Sequence, residues 1–82
     1  LRKIEYKASV IRDLRRLDRP IAQRIVDKIE KELSSSDLQP IPLTGPFKGL
    51  FKLRVGDYRV VYCLSSDRVD VLTIAHRSDI YR

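Results

Sequence analysis

The side chains of this chain with the most chemistry to offer are cations and one phenol. Lys52, Arg54 and Arg59 lie in the run LFKLRVGDYRVVY (50–62), and His76, Arg77 and Tyr81 lie in the tail IAHRSDIYR (74–82). There is one histidine, and no serine–histidine–acid set, metal-ligand spacing or glycine-rich phosphate loop accompanies it. Kinase and conventional hydrolase chemistry therefore have no machinery here. Arginine and lysine on a rigid frame suit another task, holding a phosphate chain, with guanidinium forks making bidentate contacts to its oxygens. If that chain is RNA, its 2′-hydroxyl is a built-in nucleophile. The protein then has only to align the hydroxyl, help its proton leave and stabilise charge on the phosphorane and the departing 5′-oxygen. Cations gathered on one face oppose one another's protonation, which a lysine can answer by losing its proton and an arginine cannot. Lys52 is thus a candidate base. Tyr81, with a phenol pKa of about 10 and a ring that can stack on a base, is a candidate acid, base or platform.

The elements that would position these groups can be read from the apolar pattern. Phe51, Leu53 and Val55 alternate before Gly56-Asp57, and Tyr58, Val60 and Tyr62 alternate after it, which predicts a β-hairpin. Glycine in the first central position favours a type II′ turn. This sets Val55 opposite Tyr58, Leu53 opposite Val60 and Phe51 opposite Tyr62 as the layer that faces the helices. The other face then pairs Arg54 with Arg59 and Lys52 with Val61. Like charges directly opposite each other destabilise a ladder, so such a face is most economically explained by an external anion that neutralises it. In the last strand, RVDVLTIA (68–75), Leu72 and Ile74 would bury more surface than Val71, Thr73 and Ala75. The even residues are therefore expected to face the helices, with an odd-length loop before the strand and Arg59 opposite Ala75. Arg77 then lies diagonal to Arg59. The predicted site comprises Lys52, Arg59, Arg77 and Tyr81 as catalytic groups, with Arg54 and His76 as substrate contacts. His76 also has a structural reading, a hydrogen-bonding role at a strand end, while Cys63 suits a small apolar position and Asp57 is accounted for by the turn.

Upstream, RKIEYK (2–7) alternates Ile4 and Tyr6 against charged residues, as a strand with one buried face does. Val10, Ile11, Leu14 and Leu17 recur at helical spacing. Pro20, tolerated only in a first turn, opens a second helix whose stripe is Ile21, Ile25, Ile29 and Leu33, and Ser34–Ser36 close it. Residues 37–49, with three prolines and two glycines, follow neither period and read as a loop of the length often given to function. The expectation is an α+β fold over 1–82: an N-terminal strand, an antiparallel helical pair, then a three-stranded antiparallel sheet with the helices on one face.

Eighty-two residues allow one domain with a modest core. A net charge of +6 favours a polyanionic partner. The single cysteine, Cys63, excludes an internal disulfide and fits a reducing compartment, so a cytoplasmic location is expected. No apolar run approaches membrane-spanning length, LRKIEYK does not have the form of a signal peptide, and the lack of an initiator Met implies that at least one residue precedes Leu1.

The segment LTGPFKGLFKLRVGDYRVVY followed by IAHRSDIYR, together with the order of elements, resembles the RelE branch of the RelE/ParE toxin superfamily. The resemblance implies a toxin of a toxin–antitoxin pair, a metal-independent, cofactor-free endoribonuclease that cleaves mRNA on the ribosome. The partners it implies are mRNA, the ribosome and a cognate antitoxin with an acidic helical segment, with no membrane and no metal. By position, Lys52 matches a basic residue implicated in proton transfer and Arg59 the arginine that stabilises the scissile phosphate's transition state. Arg77 matches a tail arginine that assists the leaving group, and Tyr81 the tail tyrosine that orients the substrate. One departure stands out: Leu50 occupies the place of a second lysine, and Arg54, on the same face, is the candidate to compensate. Two alternatives remain in view. The ParE branch poisons DNA gyrase on a similar scaffold, against which Arg59, Arg77 and Tyr81 argue. A catalytically idle module that binds RNA or antitoxin fits the missing lysine.

Overall fold

The structure, a computed structural model, describes residues 2–80. Its elements run β1 (Lys3–Tyr6), α1 (Ala8–Arg16), α2 (Arg19–Leu33), β2 (Ile41–Pro42), β3 (Phe51–Val55), β4 (Tyr58–Leu64), β5 (Arg68–His76) and α3 (Arg77–Ile80). The α+β arrangement with α1 and α2 on one face is as expected. The sheet, however, is five-stranded and mixed, in the order β1-β5-β4-β3-β2, rather than three-stranded and antiparallel. β1 joins it parallel to β5, with Ile4 beside Val69 and Tyr6 beside Val71. It satisfies backbone groups that β5 would otherwise leave unpaired at an edge. The second addition is β2, in the segment expected to be loop, where Ile41 and Pro42 pair with Lys52 and Phe51. Proline is acceptable there because β2 is an edge strand.

Between helices and sheet lies one apolar layer. Val10, Ile25, Ile29 and Leu33 meet Val55, Val60, Tyr62, Val69, Val71 and Ile74. Each such side chain, fully buried, stabilises the fold by roughly 1.5–3 kcal/mol before entropy is counted. The stripe of α2 is as its spacing dictates, with Pro20 in the first turn. In α1, Val10 is buried and Leu14 packs beside it, but Ile11, expected inside, is 40 % exposed. One residue along a helix is a rotation of about 100°, which carries Ile11 off the narrow buried stripe of a short helix. The end of α2 is closed by Ser34, whose hydroxyl donates to the Glu30 carbonyl, and by Ser35, whose hydroxyl accepts the Asp37 N–H at 3.0 Å.

The register of β5 is decided by a bulge. Ser65 N–H donates to the Arg68 carbonyl at 2.9 Å, so the β4–β5 turn has two central residues, not an odd number. That register turns Val69 and Val71 inward, and both are fully buried. Leu72 is then the extra residue: Tyr62 faces Val71, whereas Val61 faces Thr73. Beyond it the parity reverses, Ile74 points into the core and Arg59 stands opposite Ala75 as expected. Leu72, expected in the core, is therefore only half-buried and belongs to the bulge, because inserting one residue flips every side chain that follows.

Tyr6 brings a polar atom into this layer. Its hydroxyl is buried with no hydrogen-bond partner among the described residues. Burial, and then the charge of the Glu30 carboxylate, which lies near it but outside hydrogen-bond geometry, push its phenol up to about 12.

Candidate functional site

The face of the sheet that the helices leave open carries the predicted cations. Gly56 has φ +58° and Asp57 has no positive φ, the combination of a type II′ turn, and this locks the β3–β4 register. Arg54 stands opposite Arg59, and Lys52 lies between Ile41 and Val61. On the far side of β4, Arg59 faces Ala75, a small residue that leaves its guanidinium room. Arg77 opens α3 and is tied to the hairpin turn: its N–H donates to the Asp57 carbonyl at 2.8 Å, and its Nη1 lies 3.9 Å from Asp57 Oδ1.

Lys52, Arg54, Arg59 and Arg77 thus line one groove of about 460 Å³, with Ile41, Gly56, Asp57 and Tyr58 completing its walls. Arg54 donates from Nε to the Gly56 carbonyl at 3.2 Å, which ties its guanidinium to the turn. Neither Lys52 nor Arg59 has a side-chain hydrogen bond or ion pair among the described residues. Asp57 is the one acid among the described residues that line the groove, and its pair with Arg77 is long and well exposed, of the kind worth little in water. Chemically, this is a cradle of three guanidinium groups and an ammonium in want of anionic oxygens. Between these cations in the register stand Val61, opposite Lys52 and only 8 % exposed, and Ala75, opposite Arg59.

His76 does not line the groove. Its Nδ1 is engaged by Ser78, and its ring stands edge-on to Tyr58 with centroids 5.1 Å apart. Tyr81 lies outside the described residues. Cys63 is half-buried at the other end of the open face, with Sγ 3.9 Å from Asp70 Oδ2. Three contributors escaped sequence reasoning, the first being Tyr58, expected to face only the helices, which packs against the core and also lines the groove. Ile41 looked like loop, and only its place between two prolines beside an apolar strand hinted at an edge. Asp57 was fully accounted for by the turn, so its second role beside Arg77 left no local signal.

This arrangement can be set beside known proteins. Residues 4–81 match the family model described as ParE toxin of type II toxin-antitoxin system, parDE. The chain is 38 % identical to Toxin RelE of Mycobacterium tuberculosis, across 96 % of this chain and 84 % of that protein. The chain belongs to the RelE/ParE toxin superfamily. Toxin RelG of the same organism is 32 % identical, over 96 % of this chain and 94 % of its own. Among solved structures, the toxin–antitoxin complex RelBE2 of M. tuberculosis superposes with a TM-score of 0.75 at 24 % identity, covering 93 % of this chain and 98 % of that one. The isolated E. coli RelE toxin also gives 0.75, at 20 % identity, over 99 % and 92 % of the two chains. At these identities the structures speak to the fold, which this RelE/ParE member shares over nearly its whole length.

Among the described residues no helix is long and apolar enough to cross a membrane, and no group of three or more His, Cys, Asp or Glu comes together as metal donors.

Proposed function

We propose that this RelE/ParE toxin is an mRNA interferase: an endoribonuclease that acts on ribosome-bound mRNA through attack of a 2′-hydroxyl on the adjacent phosphate. The observation that carries this reading is the cluster of Lys52, Arg54, Arg59 and Arg77 around one groove with a single acid among its described lining residues. In the reaction, the 2′-oxygen–phosphorus bond forms and the phosphorus–5′-oxygen bond breaks. The 2′-hydroxyl proton goes to Lys52 or Tyr81, the departing 5′-oxygen takes a proton from water, and the products are a 2′,3′-cyclic phosphate and a 5′-hydroxyl. Arg59 stabilises the phosphorane, Arg77 the leaving oxygen, and Arg54 holds a flanking phosphate. Leu50 leaves the site one lysine short of its best-known relatives, so alignment by the ribosome supplies rate that the protein's own base does not. The natural restraint on such a toxin is a cognate antitoxin with an acidic helical segment. It complements a net charge of +6, and RelBE2 is itself a toxin–antitoxin complex.

The test is mRNA carrying one deoxynucleotide at the mapped cut, programmed on ribosomes. Cleavage of normal mRNA, rising with pH as the base loses its proton, and none at the deoxy position is the expected result. Because the groove is cationic and repels metal ions, cleavage should persist in a chelator. Cutting at the deoxy position would overturn the mechanism. DNA breaks dependent on gyrase, with mRNA intact, would favour the ParE-like action that the family model's description suggests.

A further inference from the structure

We infer that His76 is a positioning residue that works as the N-cap of α3 and thereby aims Arg77 into the groove. The inference begins with a proton count. Ser78 N–H, which can only donate, points at His76 Nδ1 at 3.1 Å, and Ser78 Oγ lies 2.8 Å from the same nitrogen. Nδ1 is therefore the acceptor, and in the neutral ring the proton sits on Nε2. An acceptor on the residue before a helix, taking the N–H of the second helical residue, is the geometry of an N-cap. α3 spans four residues and cannot hold itself together, because a first helical turn orders several backbone angles for a single hydrogen bond. The cap is thus a large share of what fixes its start.

Arg77 stands between the two halves of this device. On one side the His76 ring is wedged edge-on against Tyr58, its cross-strand partner, at 5.1 Å and 85°. On the other, the Arg77 N–H is bound to the Asp57 carbonyl at 2.8 Å. The Arg77 side chain is 63 % exposed, and its contact with Asp57 Oδ1, at 3.9 Å, is too long to steer it. Its direction therefore comes from the backbone that His76 and Asp57 hold. His76 itself is half-buried and does not line the groove, so it acts through Arg77 and not on the phosphate.

Two substitutions separate the cap from the imidazole. Asparagine at 76 keeps an oxygen acceptor within reach of the same N–H and ranks among the best N-caps. Phenylalanine keeps a ring against Tyr58 and offers no acceptor. The cleavage part of the test rests on the mRNA-interferase reading; amide exchange at Ser78 does not. With wild type, His76→Asn, His76→Phe and Arg77→Ala compared on ribosome-bound mRNA, His76→Phe should lose on the order of 10- to 100-fold in kcat with KM little changed, as expected of a misaimed transition-state contact. His76→Asn should recover most of that loss. The Ser78 amide should exchange slowly in wild type and His76→Asn, and faster in His76→Phe. His76→Asn as impaired as His76→Phe would overturn the inference, since the imidazole itself would then be needed, and so would His76→Phe as active as wild type. If wild type leaves mRNA intact, it is the cleavage reading that falls; the cap then stands or falls on Ser78 exchange, and equal rates in all variants would overturn it.

Discussion

The open face of the sheet has two ends that treat charge in opposite ways. At the β1–β5 end, Lys3 pairs with Glu5 at 3.2 Å and Arg68 with Asp70 at 3.1 Å, and the register sets Lys3 beside Arg68 and Glu5 beside Asp70. Every cation there has an acid two residues along its own strand. At the β3–β4 end, Lys52, Arg54, Arg59 and Arg77 share one groove in which Asp57 is the one acid among the described lining residues. The first end is an ordinary solvated charged surface. The second stores unmet positive charge on a rigid frame, which is the condition for binding a phosphate chain strongly and for stabilising charge that develops on it. Basic residues are common across this chain, so the distinction between a basic surface and a site is made by partners rather than by count.

The bulge at Leu72 stands between the two ends, and removing it breaks the comparison most severely. Deleting Leu72 would force β5 to turn either Ile74 or the pair Val69 and Val71 away from the helices. At roughly 1.5–3 kcal/mol for each buried side chain, a domain of this size should fail to fold or melt far lower, whereas Leu72→Ala should shift Tm little; circular dichroism melts would show both.

Next in size are single cations from each end. Arg59→Ala and Arg77→Ala should each lower mRNA cleavage on the order of 10²–10³-fold, with Tm unchanged or slightly higher, since each relieves like-charge repulsion. Arg68→Ala removes an exposed ion pair worth about 0–1 kcal/mol and should leave cleavage unaltered. A core change does the opposite: Ile29→Ala should cost about 2–5 kcal/mol, read by denaturant titration, and leave the groove's chemistry intact in the folded fraction. Equal loss of cleavage in Arg68→Ala and Arg59→Ala would erase the difference between the two ends.

Salt provides a finer test. If all four groove cations meet phosphates, the logarithm of affinity for single-stranded RNA should fall with log salt at a slope of roughly −3, and Arg54→Ala should lessen it by about 0.7 while Arg68→Ala leaves it unchanged. The smallest effect concerns the helix side of the sheet. The Tyr6 phenol is held up at about 12 in the folded protein against about 10 unfolded, so the neutral form favours the fold. That contribution is complete below pH 10 and lost as pH rises toward 12. Tyr6→Phe should abolish this part of the alkaline decline in Tm.

Much of this was legible from local pattern. The alternation around Gly56-Asp57 dictates which residues of the hairpin share a face, because side chains in a strand alternate strictly and a two-residue turn admits one register. Lys52, Arg54 and Arg59 were therefore placed together by sequence alone, as was the stripe of α2, whose four-residue spacing repeats over several turns. What only the tertiary structure decided depends on contacts distant in sequence. β1 beside β5, the mixed sheet and the edge pairing of Ile41 with Lys52 are choices between partners that no local period distinguishes. The bulge at Leu72 is the clearest case. The β4–β5 turn and the far end of β5 demand opposite parities, and one extra residue reconciles them in a place that no single-residue preference marks. Arg77 reached the groove by that reconciliation, and Asp57 and His76 took their places beside it through a backbone bond from Arg77 to Asp57 and the edge-on packing of His76 on Tyr58. Pattern along a chain specifies faces, while the closing of the sheet specifies which faces meet.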